Sequence, residues 1–142
     1  MKVVQNHQQD KANKAGTQAA NSRTAFEMQC EKLEQLAAYR DEYWQRYSSP
    51  KGAVFSVARL QDFRTFINRL DQAIEQQRQV VEHARNDSEE KKSQWLYERT
   101  REKAIGTVVE KFSVQEQKEF DRKEQKVADE FSQRAASRHS PH

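Results

Sequence analysis

The sequence predicts an all-α protein in which two long helices form an antiparallel coiled-coil hairpin, the second helix longer and projecting. Three observations predict it. Only 35% of the 142 residues are hydrophobic while 33% are charged, a balance too polar for a thick core. Gly occurs three times and Pro twice, with no Pro between Lys51 and Ser140, so the chain has few places to turn. Apolar residues recur in alternating steps of three and four along both halves, the spacing of a narrow helical stripe that buries one seam and leaves the rest to water.

The elements follow in chain order within a single coiled-coil domain, 1–142. The first helix is expected over 1–48. Its seam is read through Phe26, Cys30, Leu33, Ala37, Arg40, Trp44 and Tyr47, whereas Asn6 to Ser22 is Gln/Ala-rich and polar, so the helix is expected to be weak or frayed before about residue 22. Ser48, Ser49, Pro50, Lys51 and Gly52 cluster turn formers, which puts the turn at 49–55. The second helix is expected over 56–136 with Ser56 as N-cap. Its seam runs through Phe63, Ile67, Leu70, Ile74, Gln77, Val81 and Ala84 and resumes at Trp95, Ile105, Val109 and Phe112. Residues 137–142 are left as a disordered tail. Gly106 is a weak point of the second helix, read either as a hinge or as an ordinary tolerated glycine.

Setting Tyr47 across from Phe63 fixes an antiparallel register. That register puts Ala15 and Gly16 opposite Trp95, small against large, and Val3 and Val4 opposite Ile105 to Val108, apolar against apolar. Residues beyond about Thr107 then have no partner in the chain, and the end of the second helix is expected to project as a lone amphipathic rod.

The chemistry classes this pattern excludes are many. There is no phosphate loop, zinc spacing, nucleophile elbow or Gly-rich cradle, and the four histidines are scattered along the chain, so no metal site, cofactor or catalytic residue is expected. Carboxylates on a thin rod stay hydrated, the wrong setting for general-acid work. Cys30 reads as a small core residue compatible with a reducing compartment. The N-terminal residues MKVVQNHQQD carry neither a signal peptide nor a membrane span, which makes a cytoplasmic protein without direct membrane insertion the expectation. The net charge of +3 arises from Lys91 onward, where 12 Lys/Arg stand against 9 Asp/Glu. Because the two signs interleave, this reads as a solvated face with i,i+4 pairs, and no nucleic acid is expected as partner.

A second stripe lies beside each seam: Leu36, Tyr39 and Tyr43 on the first helix, Phe66, Leu70, Ala73 and Gln77 on the second. Two readings are open, an exposed protein-binding surface or a thickening of the coil that mediates self-association. Toward the C-terminus Phe120, Val127 and Phe131 make a narrow apolar line, with Lys126, Arg134 and Arg138 beside Asp129 and Glu130.

Three segments, CEKLEQLAAYRDEY from Cys30, LQDFRTFINRLDQAIEQQR from Leu60 and VADEFSQRAASR from Val127, jointly resemble the FliJ family of flagellar type III export proteins. The resemblance covers most of the chain and departs from the family mainly before Thr24. It implies a non-enzymatic coil similar to the central stalk of rotary ATPases. Such a stalk inserts into the hexameric export ATPase and contacts the cytoplasmic domain of the membrane export gate and export chaperones, at the cytoplasmic side of the inner-membrane apparatus. The gate-binding patch it implies is Leu36, Tyr39, Tyr43, Phe66, Leu70, Ala73 and Gln77. The ATPase-binding end it implies is Lys126, Val127, Asp129, Glu130, Phe131, Arg134 and Arg138. The alternatives are the equivalent stalk of a virulence injectisome, a basic coiled coil that binds nucleic acid, and a self-associating structural rod.

Overall fold

The computed structural model describes residues 2–48 and 56–138; the expected turn at 49–55 lies outside the described residues, as do the last four residues of the expected tail. Two helices account for the described chain, α1 (Lys2–Tyr47) and α2 (Val57–Arg138), packed antiparallel, and the described residues contain no strand. Helices this long stand on packing of a stripe, since propensity alone leaves a polar helix marginal. Ser56 starts α2 as a cap: its Oγ accepts the backbone N–H of Arg59 at 3.2 Å and its carbonyl accepts that of Leu60 at 3.1 Å.

The chain divides into two compact units, Ala12–Tyr97 in one, and residues up to Lys11 together with those from Glu98 onward in the other. In the first unit the core is a ladder on α2, with Phe63, Ile67, Leu70, Ile74 and Val81 buried, followed by Ser88. From Phe63 to Ala84 the apolar spacing expected on α2 is therefore the observed seam, and its polar gap is filled by Ser88 with Lys91 and Trp95 half-buried behind it, whereas Phe112, expected on the same line, is exposed.

On α1 the seam differs from the expected one. The inward positions are Ala12, Ala15, Gly16, Ala19, Ser22, Phe26, Gln29, Cys30, Leu33, Leu36, Arg40 and Tyr43, an alternation of three and four in which Gly16 widens one layer and the expected seam residue Cys30, half-buried beside Gln29, widens another. Ala37, Trp44 and Tyr47 are exposed, and Phe63 meets Tyr43 and Trp44 (ring centroids 5.7 and 5.4 Å) instead of Tyr47. The two lines share Phe26, Leu33 and Arg40, both contribute to the layer of Gln29 and Cys30, and they part by one residue where Leu36 and Tyr43 replace Ala37 and Trp44. Gln29 is usable in the seam because the facing helix meets its hydrogen bonds, and Arg40, common to both lines, is met in the same way. Gln29 accepts the Gln77 side-chain amide through its carbonyl O (2.9 Å) and its Oε1 (2.8 Å). Arg40 forms a two-pronged ion pair with Asp71, the longer arm at 3.4 Å. Polar layers of this kind specify register at some cost in stability.

In the second unit Gln8 is 3% exposed, and its amide donates to the Glu98 carbonyl O at 3.0 Å and carboxylate at 2.6 Å. Val3 and Val4 do not form the expected apolar layer, being 81% and 57% exposed; Gln5 turns inward instead and lines one shallow groove with Gln9, Arg99, Glu102, Lys103 and Gly106. No helix is long and apolar enough to cross a membrane.

Candidate functional site

Within Ala12–Tyr97, the residues of the expected docking patch come together but not on one free surface. Tyr43 turns into the seam. It is the hub of an aromatic cluster, stacked 9° from parallel on Phe63 and tilted against Phe66 and Tyr47 at 4.4 and 4.7 Å between centroids. Burial, reinforced by the phenols of Tyr47 and Tyr39 and the carboxylate of Asp62, pushes the Tyr43 phenol above the usual tyrosine value, because each of these disfavours a phenolate. Tyr39 sits at the rim, its ring edge-on to Phe66 at 6.3 Å, and remains 50% exposed. Stacking of this kind holds the rings without hiding the outer ones.

Leu36, Tyr39 and Gln77 line one shallow groove with Lys32 and Gln35, so the polar end of the patch is a groove flanked by a lysine. Leu70, by contrast, is buried at 8% exposure and belongs to the core, while Phe66 and Ala73 are half-buried on its flank. The spacing that defined the second stripe thus mixes two environments: Leu36, Tyr43, Leu70 and Gln77 are seam positions, and Tyr39, Phe66 and Ala73 flank them. Lys32 and Gln35 carry no apolar signal and are marked in the sequence only by their i,i+4 relation to Leu36 and Tyr39. Arg40, next to this patch, has its guanidinium 5.7 Å from the Trp44 ring, and the hydrogen-bonded Asp71 carboxylate raises its pKa further.

In the other unit, every residue from Glu110 to Arg134 is exposed. Val127 and Phe131 are 65% and 74% exposed, and with Phe120, Asp121, Lys123, Glu124, Gln125 and Ala128 they line a shallow surface groove. Lys126, Asp129, Glu130, Arg134 and Arg138 lie on the same bare helix. The carboxylate of Asp129 accepts the Gln125 amide at 3.1 Å, a local i,i+4 contact that leaves the rest of its oxygens to solvent. Among the described residues no three His, Cys, Asp or Glu side chains converge on a metal-sized site, and what the surface offers in both places is apolar contact framed by charge.

The profile of one family, described as "Flagellar FliJ protein", matches residues 1–140. A curated relative, the flagellar FliJ protein of Escherichia coli (strain K12), is 32% identical over 108 residues, covering 76% of this chain and 74% of its own. No solved structure gives a significant match.

Proposed function

The chain belongs to the flagellar FliJ family, and from that premise we propose that it acts as a non-enzymatic stalk and escort between an export ATPase and its gate. Family membership makes it a component of the flagellar export apparatus. In the proposed role, the C-terminal part of α2 enters the hexameric export ATPase. The aromatic patch around Tyr39 and Phe66 docks on the cytoplasmic domain of the membrane export gate, and the same protein meets export chaperones. It works in the cytoplasm against the inner-membrane apparatus, held there by protein contacts.

The observation that carries this reading is the bare helix from Glu110 to Arg134, exposed at every residue. A single helix about 10–12 Å across is slender enough for the centre of a ring. Val127 and Phe131 supply apolar contact there, and Lys126, Arg134 and Arg138 stand with Asp129 and Glu130 to meet a sleeve of mixed charge. The half-exposed Tyr39 supports the gate contact, because exposed aromatic side chains dominate protein interfaces.

The experiment deletes Val127 to His142 and measures ring assembly and ATP hydrolysis by the purified export ATPase. Loss of stimulation is expected. Unchanged stimulation would refute insertion by this end. In parallel, Tyr39→Ala with Phe66→Ala is expected to abolish retention by the gate's cytoplasmic domain while circular dichroism stays near the parent; a large loss of helix would assign these rings to the coil interior.

A further inference from the structure

On the same bare helix the apolar pair Val127 and Phe131 belongs to a longer pattern. Phe120, Glu124, Val127, Phe131 and Arg134 follow one another in steps of four and three, so they form one continuous line along α2, and each is exposed. Steps of four and three are the spacing of a coiled-coil seam.

The charges beside the line say which strand fits. In an antiparallel pairing of two copies centred between Gln125 and Lys126, Phe120 lies against Phe131 of the second copy and Val127 against Glu124, whose stem packs while its carboxylate reaches water. Lys123 and Glu130 occupy the same flank of the line. The antiparallel arrangement brings Lys123 of each copy beside Glu130 of the other, making two opposite-sign pairs by symmetry. The other flank brings Asp121 beside Ala128 and creates no like-charge contact. A parallel pairing does the reverse: it stacks Glu124 on Glu124 and Arg134 on Arg134 and puts Glu116 beside Asp121, all repulsive. Opposed helix dipoles add to the same preference.

We infer that the Phe120–Val127–Phe131 face of α2 binds the same face of a second copy of this chain, antiparallel, with paired Lys123–Glu130 contacts setting the orientation. Three apolar residues per strand make the dimer weak, with a dissociation constant on the order of tens to hundreds of micromolar. The inference stands without the ATPase reading, although such a dimer covers Val127 and Phe131 and so excludes their contact with any other partner.

The test uses the full chain in sedimentation experiments over a concentration series at low salt. A monomer–dimer equilibrium is expected. Lys123→Glu alone and Glu130→Lys alone each turn two attractive pairs repulsive and are expected to weaken the dimer about tenfold. The double variant is expected to restore it, and added salt to erase the differences. Seven residues, about 10 Å along the helix, separate the two positions within one chain, too far for a side-chain pair, so the restoration reports a second copy. Circular dichroism of each variant confirms that the helix persists. A protein monomeric at every concentration would overturn the inference. So would a dimer whose affinity ignores the single reversals or stays weak in the double variant.

Discussion

The indole of Trp95 lies directly over Gly16: a methyl group placed on Gly16 would come within 3.0 Å of the indole Nε1 and 3.2 Å of Cδ1. The largest side chain of this part of the seam is thus accommodated by the smallest, and α1 and α2 can approach closely where Ala12, Ala15, Ala19 and Ser22 supply little bulk. Gly106 has the opposite surroundings, with nothing within 4 Å of such a methyl group. Both glycines are helical, so alanine at either gains about 1 kcal/mol of helix propensity, but at Gly16 the gain is offset by displacement of the indole. Gly106→Ala is therefore expected to raise stability by about 0.5–1 kcal/mol and Gly16→Ala to gain less or to lose. Chemical denaturation of the two variants side by side checks this; an equal gain at both positions would mean that Trp95 yields freely.

The docking patch divides energetically along the seam. Leu70 is buried at 8% exposure, so Leu70→Ala is expected to cost about 2–4 kcal/mol. Tyr39 is 50% exposed, and Tyr39→Ala is expected to cost well under about 1 kcal/mol of fold stability. Urea melts of the two variants decide whether the patch has a structural and a surface half, or whether all its members act alike.

Alkaline pH tests the placement of Tyr43. Its phenol is held above the usual value by burial first and by Tyr47, Tyr39 and Asp62 after it, whereas the unfolded chain loses that proton near the ordinary tyrosine value of about 10. Between those two values the folded chain binds more protons than the unfolded one, so the contribution is fully present below pH about 10 and is lost as pH rises through the folded value. Denaturation midpoints measured from neutral to strongly alkaline pH are expected to fall in that window, and Tyr43→Phe to remove part of the fall. The same decline in the variant would locate the titration elsewhere.

Arg40 and Asp71 join the two helices through a pair of hydrogen-bonded contacts, but both side chains keep access to solvent. A double-mutant cycle with Arg40→Ala and Asp71→Ala is expected to show a small favourable coupling that shrinks as salt is added. A coupling indifferent to salt would mean that the pair acts through packing, with the Arg40 guanidinium over Trp44 as its route.

How much was legible in the sequence depends on the element. The all-α class, the two helices and the seam of α2 followed from composition, rare Gly and Pro, and the recurrence of Phe63, Ile67, Leu70, Ile74 and Val81, because burying a stripe on a helix has one periodic solution. The Ser56 cap followed from side-chain chemistry, and the partnership of Gly16 with Trp95 from volume complementarity. The phase of the α1 seam was not legible. Phe26, Leu33 and Arg40 belong equally to a line through Cys30, Ala37 and Trp44, of which the structure keeps only Cys30 inward, and to one through Gln29, Leu36 and Tyr43. Hydrophobicity favoured the first because glutamine scores as polar, and one-dimensional pattern carries no record of the Gln77 amide that satisfies Gln29 or of the aromatic rings that surround Tyr43. The tertiary structure decided that phase, and with it which patch residues are core and which are surface, since a polar group enters a seam only when a partner on the facing helix meets its hydrogen bonds.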